Sequence, residues 1–243
     1  MNIRIISDTS CDLFDDEILT TVPFSIDVGG QEFIDDSSLN TSALLKAMEK
    51  SSELGKTSCP TVHAWEQAFS KEGDVIALTI SNNVSGSFNS ANSAKNSVLE
   101  NYREKKIHVI NSKTSGPALA ICIEKIKSLI KSNLSFEEIV KKADETMENL
   151  KTVYALCSFD NLVKNGRMNK LVGFVAKKLN MWGIGIASNE GTIQIVGKVR
   201  GELNAINQII KDLEERHFSG NTLYISHCHN MLMVEKIKEA IKE

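Results

Sequence analysis

Short apolar runs, each ended by a cluster of Ser, Thr, Asn or Asp, recur through the first 150 residues. Ile3 to Ile6 reads as a strand, with Asp8-Thr9-Ser10-Cys11-Asp12-Leu13 as the polar turn at its carboxyl end. Residues 76–80 read as a buried strand that runs into Ser81-Asn82-Asn83-Val84-Ser85-Gly86-Ser87. Residues 107–110 form a third such run, ended by Asn111-Ser112-Lys113-Thr114-Ser115-Gly116. Apolar runs of this length between turn residues fit strands buried on both faces. Residues 22–28 read as a further strand, and Gly29-Gly30 turns it into residues 31–34 as a hairpin.

Helical spacing fills the intervals. Asn40-Thr41 caps a helix over Leu44, Leu45 and Met48 that ends near Gly55. Thr61 caps another, with Trp65, Ala68 and Phe69 on its apolar face, and Pro60 forbids helix before it. Ser85-Gly86-Ser87 opens a helix whose apolar positions are Phe88, Ala91, the stem of Lys95, Val98 and Tyr102. Leu119, Cys122, Ile123, Ile126, Leu129 and Ile130 mark a long apolar helix. Ser135 and Glu138 form a capping box for one more, running through Met147. Strand and helix alternate, so residues 1–150 are expected to form an α/β domain with a parallel sheet flanked by helices.

The pattern changes near residue 150. Residues 152–157 read as a strand, and residues 161–168 as a turn with Arg167 beside Gly166. A helix is expected over Leu171, Phe174, Val175 and Leu179. Residues 184–196 alternate on both arms of a hairpin, and helix 202–216, strand 223–226 and helix 231–242 follow. Residues 151–243 are therefore expected to be an α+β domain on a mixed or antiparallel sheet.

Composition narrows the function classes. Apolar residues make up 42% and charged residues 24%, as in an ordinary globular chain. A net charge of -3 supplies no basic field for nucleic acid or an anionic membrane. No apolar run approaches the roughly 18 residues of a membrane span. The first eight residues read as a strand and not as a signal peptide, so a cytoplasmic location is expected. The five cysteines, Cys11, Cys59, Cys122, Cys157 and Cys228, include no C-x-x-C pair and are expected to be reduced and mostly buried. Cys11 and Cys59, in polar loops, are the two candidates for a reactive thiol.

Familiar catalytic patterns are missing. The chain has no G-x-S-x-G and no G-x-x-x-x-G-K-[ST]. His227 and His229 would share one face of a strand and could supply two metal ligands, but no third is evident. Asp8 and Ser10 fit either a helix cap or support for a ligand at a strand's carboxyl end. What remains is a set of neutral donors, Thr57, Ser58, Ser81, Ser85 and Ser87, with Arg167 as a candidate cation. They fit caps and turns. They also fit a clamp for a carboxylate or phosphate, because hydroxyls, backbone N–H groups and a helix N-terminus stabilise an anion through directed bonds.

Several of these stretches together resemble the DegV family of bacterial fatty-acid-binding proteins. Residues 5–13 are similar to its N-terminal strand and acidic turn, and Thr57-Ser58-Cys59-Pro60-Thr61 to its Thr-Ser-x-Pro-Ser/Thr motif. Residues 80–91 are similar to its Ser-x-x-x-Ser-Gly-Thr-aromatic-x-x-Ala signature. Asn165-Gly166-Arg167-Met168 is similar to its Gly-Gly-Arg-Ile turn, and residues 191–200 to a hairpin ending in Lys-x-Arg. Ser87 and Phe88 stand for the commoner Thr-Tyr, Cys59 for a common Gln, and Asn165 for a Gly. The family usually continues past the position of Glu243 to a His- and Gly-rich strand beside the head group; either that strand is disordered or removed, or the head-group site lacks one usual His, for which His227 is a candidate substitute.

The resemblance implies two domains with a long-chain fatty acid in a tunnel between them, and no catalysis by the protein itself. Thr57 and Ser85 would donate hydrogen bonds to the carboxylate, supported by Ser58, Gly86 and Ser87, with Arg167 closing the head-group network. Arg200 would contact a fatty acid kinase, which phosphorylates the presented carboxylate for phospholipid synthesis. The resemblance implies no cofactor and no metal beyond the bound fatty acid, no nucleic-acid partner and no stable membrane insertion. Two other readings stand beside it: an acyl- or phosphoryl-transfer enzyme using the same Ser/Thr cluster, and a regulatory module for another small acid.

Overall fold

The structure, a computed structural model, describes residues 2–168, 180–220 and 222–242. The chain divides into two compact units, residues 1–150 and 151–243. The first contains β1 (Ile3–Asp8), β2 (Leu19–Val22), β3 (Ser25–Val28), β4 (Gln31–Ile34), α1 (Thr41–Lys50), β5 (Lys56–Ser58) and α2 (Val62–Phe69). It continues with β6 (Asp74–Thr79), α3 (Ser87–Asn101), β7 (Ile107–Asn111), α4 (Pro117–Ile130) and α5 (Phe136–Asn149).

Four strands form a parallel sheet in the order β2-β1-β6-β7. Its two faces follow from the two-residue strand period. Ile3, Ile5, Ile76, Leu78 and Ile110 pack with Leu119, Ile123 and Ile126 of α4 and with α5. Ile6, Val75, Ala77 and Ile107 pack on the other side with Trp65 and Phe69 of α2 and Ala91, Ala94 and Val98 of α3. Both faces are covered, which is why these strands read as continuous apolar runs.

The capping signals act locally and hold. Asn40 accepts from the Ala43 N–H, Thr61 from that of Ala64, and Ser135 with Glu138 completes a capping box. Helix α1 stops at Lys50, short of Gly55. The apolar face of α3 is Ser87, Ala91, Ala94 and Val98; Tyr102 lies just past its end and is exposed.

The run 22–28 is not one strand. Pro23 lacks an N–H, and the chain breaks there into β2, in the parallel sheet, and β3, in another. That second sheet, β4-β3-β5, is antiparallel. Its hairpin was legible at Gly29-Gly30, where both φ values are positive, but β5 was not. Three exposed residues carry no periodic signal, and pairing with β3 makes them a strand.

The second unit contains β8 (Val153–Leu156), α6 (Asp160–Lys164), β9 (Met181–Ala187), β10 (Ile193–Arg200), α7 (Glu202–Glu215) and α8 (Met231–Lys242). Its sheet, β10-β9-β8, is antiparallel, with α7 and α8 packed on it through Ile184, Ala205, Ile206, Met233 and Ile237. Residues 161–168 begin inside a short helix and are not all turn. The helix expected over Leu171, Phe174, Val175 and Leu179 lies outside the described residues. Among the described residues, 223–226 join no ladder, and Leu223 and Tyr224 are exposed; a strand needs a partner for its N–H and C=O groups.

All five cysteines are unpaired, but only Cys11 and Cys122 are buried, while Cys157 and Cys228 are exposed. Burial pushes the Cys11 thiol up to about 11 and Cys122 up to about 12, so Cys11 is no reactive thiolate at neutral pH. Among the described residues no helix is long and apolar enough to cross a membrane.

Candidate functional site

Strands β1 and β6 lie side by side, but the chain leaves β1 towards β2 on one side and β6 towards β7 on the other. In an open parallel sheet, this switch point opens a crevice at the strands' carboxyl ends. Three polar segments meet there: the 3-10 turn Thr9–Cys11 after β1, the turn 80–86 after β6, and the first turn of α3.

Asp8, the last residue of β1, is fully buried and joins them. Its Oδ2 accepts from the Ile80 N–H at 3.0 Å and from Ser87 Oγ at 2.6 Å, while Oδ1 accepts from Ser10 Oγ. Burial pushes this carboxyl above its ordinary value, and the hydroxyls of Ser10 and Ser87 with the Ile80 N–H pull the other way. Thr9 ties the same turn to the small sheet: its Oγ1 donates to Asp35 Oδ2 at 2.7 Å and accepts from the Phe24 N–H at 3.2 Å. The Ser10 carbonyl accepts from the Gly116 N–H at 2.7 Å, at the start of α4. Asp8 stands at the N-cap position of the 3-10 turn, and its carboxyl is tied to Ser10 of that turn as well as to the turn after β6.

Helix α3 has glycine at its formal cap, and Ser85 supplies the missing oxygen. Its Oγ accepts from the Ser87 N–H at 3.3 Å. A hydroxyl that accepts keeps its own proton to donate elsewhere. Ser87 is different: it is fully buried, and its proton is turned inward to Asp8, so its contribution is to position the turn. Gly86 is exposed in a helical conformation, and a Cβ there would come within 3.3 Å of Cys59 Sγ. Cys59 Sγ also lies 4.0 Å from Ser90 Oγ. The segment after β5 is thus packed on the first turn of α3, which brings the Thr57 motif and the Ser85 motif together.

Thr57 pairs with Ile26 and Ser58 with Ser25, and both are exposed. Successive strand residues face opposite ways, so Thr57 and Ser58 do not point at one ligand from the same side. Thr57 has the parity of Cys59; Ser58 has the other.

Among the described residues, Arg167 follows Gly166, whose φ is +75°, in the turn after α6. One guanidinium nitrogen donates to the Asn165 carbonyl at 3.1 Å. Arg200 ends β10 with its side chain exposed. His227 is exposed, and its Nδ1 accepts from the Asn230 N–H at 3.2 Å. The segment is no strand, so the argument that His227 and His229 share a face falls away. Among the described residues no three His, Cys, Asp or Glu gather as a metal set.

Sequence reasoning named Asp8 and Cys59 but could not place either in this arrangement. Asp8 carried a signal, a carboxylate at a strand's carboxyl end, but its partners lie 72 and 79 residues away. Cys59 carried none. The described site also gives Ser85 no side-chain base, since Asp8 is bonded to Ser10 and Ser87 instead.

A family model described as "Uncharacterised protein, DegV family" matches residues 2–243. A DegV domain-containing protein of Streptococcus pyogenes serotype M1 is 36% identical over 251 residues, covering 100% of this chain and 89% of the relative. A crystal structure of a DegV family protein from Eubacterium eligens loaded with heptadecanoic acid is similar, with a TM-score of 0.95 and 33% identity over 99% of this chain and 88% of that one. The Streptococcus pneumoniae Fatty Acid Kinase (Fak) B3 protein loaded with linoleic acid is similar too, with a TM-score of 0.96 and 33% identity over 100% of this chain and 88% of that one. The match runs through both units and every motif described above, and the chain belongs to the DegV family.

Proposed function

We propose that this protein binds a long-chain fatty acid and presents its carboxylate to a fatty acid kinase, without catalysing a reaction itself. One observation carries the reading: whole-chain similarity, at 33% identity, to two structures loaded with fatty acids, one of them a fatty acid kinase B protein. The geometry supports it. Ser85 and the first-turn N–H groups of α3 supply neutral, directed donors, and a charge-assisted bond from each is worth roughly 1.5–3 kcal/mol. Thr57 is the second donor of the reading, with Ser58, Gly86 and Ser87 as support. Arg167 and His227 are its head-group residues from the second unit, and Arg200 its kinase contact. The acyl tail would lie in the interdomain tunnel that family membership suggests, stabilised by about 0.8 kcal/mol per buried methylene. The place of action proposed is the cytoplasm.

Mass spectrometry of an organic extract tests the proposal directly. Purified, folded protein is expected to release about one equivalent of a C14–C18 acid, and delipidated protein to take up oleate. Extracts without lipid, together with no uptake of added oleate, would overturn it.

A further inference from the structure

We propose that Asp8 is the positioning residue of the carboxylate site: it holds the turn 80–86 and the start of α3 so that the Ser85 hydroxyl proton points to the ligand. The proposal rests on the fatty-acid reading above.

Asp8 is fully buried at the end of the central strand β1, and its carboxylate is held by neutral donors alone. Burying a carboxyl in such a place is costly, and the hydroxyls of Ser10 and Ser87 with the Ile80 N–H offset part of that cost. Those bonds form a directed chain. The oxygen that accepts the Ile80 N–H, Oδ2, also accepts the Ser87 hydroxyl, which donates to it. That fixes the Ser87 residue, whose N–H donates to Ser85 Oγ. Ser85 Oγ, used as an acceptor from below, has its proton left for an acceptor above the helix. The Ile80 N–H bond pins the other end of the same turn to the same carboxylate oxygen. Asp8 touches no ligand in this scheme; it acts through Ser87. An amide at this position could offer a hydrogen to Ser87 and let its hydroxyl turn, which breaks the chain without emptying the space.

The test compares oleic acid with oleyl alcohol, which share a tail and differ in head group, in titrations of wild type, Asp8→Asn, Ser87→Ala and the double variant. Asp8→Asn and Ser87→Ala are each expected to lose about tenfold in acid affinity, the scale of one charge-assisted bond, with alcohol affinity unchanged. The double variant is expected to lose no more than either single one, because both break one chain. Amide exchange over residues 80–87 is expected to quicken in both variants without ligand. Equal losses for acid and alcohol would mean a merely structural role and overturn the proposal. So would stronger acid binding by Asp8→Asn, which would reveal like-charge repulsion, or additive losses in the double variant. If Asp8→Asn does not fold, Ser87→Ala decides by the same comparison. Wild type that binds neither compound overturns the fatty-acid reading and this proposal with it; wild type that binds both while the variants keep their preference for the acid overturns this proposal alone.

Discussion

Ser85 and Asp16 show how single side chains govern the first unit. Ser85 is the hydroxyl whose oxygen accepts from the Ser87 N–H at the start of α3, and in the proposed function its proton goes to the ligand. Ser85→Ala is expected to weaken oleic acid binding by about 10–100-fold, the loss of one hydrogen bond to a charged group. Oleyl alcohol serves as the control in the same calorimetric titration. Asp16 works on stability instead. Its Oδ1 accepts from the N–H groups of Ile18 and Leu19, both at 2.8 Å, and Oδ2 pairs with Lys127 at 2.6 Å, which also pairs with Glu124. Partial burial pushes this carboxyl up, but Lys127 and the two N–H groups more than offset it, leaving it at about 2 against an ordinary 3.8. A carboxyl depressed in the folded state stabilises that state above the unfolded pKa, and the gain is lost as pH falls through the folded one. The side chain is 43% exposed, so screening reduces the contribution to about 1 kcal/mol. Urea unfolding at pH 6 and pH 2 is expected to show that much more acid loss in wild type than in Asp16→Asn.

At the scale of elements, the turn carrying Arg167 depends on one close packing contact. Phe159 is buried, immediately before α6, and its ring lies where a Cβ on Gly183 of β9 would stand. Gly183 is thus the seat on which α6 and the Asn165-Gly166-Arg167 turn are mounted. Gly183→Ala is expected to cost about 1–3 kcal/mol by overpacking, and pairing it with Phe159→Leu to recover part of the loss. Thermal unfolding of the three variants checks this; an unchanged midpoint for Gly183→Ala would remove the seat. Elements with a self-contained signal were legible: the capping box at Ser135, the cap at Thr61, the Gly29-Gly30 hairpin. Elements defined by a partner were not. β5 is a strand because β3 is beside it, and residues 223–226 pair with no strand among the described residues.

For the whole molecule, the proposed function separates two tasks, holding an acid and being recognised by a partner. Arg200 ends β10 with its side chain exposed, and Lys198, two residues before it and past the bulge between Ile195 and Gly197, is exposed as well. Charge reversal on an exposed rim acts mainly on encounter and pairing with a partner. Arg200→Glu is therefore expected to slow kinase-dependent phosphorylation of the bound acid by about tenfold or more while oleic acid affinity stays within about twofold. A coupled kinase assay beside the titration reads both quantities, and loss of acid binding would place Arg200 in the ligand site instead. By itself the sequence determined the α/β pattern of the first unit, the antiparallel hairpin of the second, most helix caps and the hydroxyl motifs, since each is written within a few residues of chain. Tertiary structure alone decided that β1 and β6 are neighbours at a switch point, and that Asp8 meets Ser87 across 79 residues. It also decided that Ser87 faces inward to Asp8 while Ser85 Oγ accepts from the Ser87 N–H. Those facts depend on strand order and register, which come from burying both faces of one sheet at once, and no local window of sequence contains them.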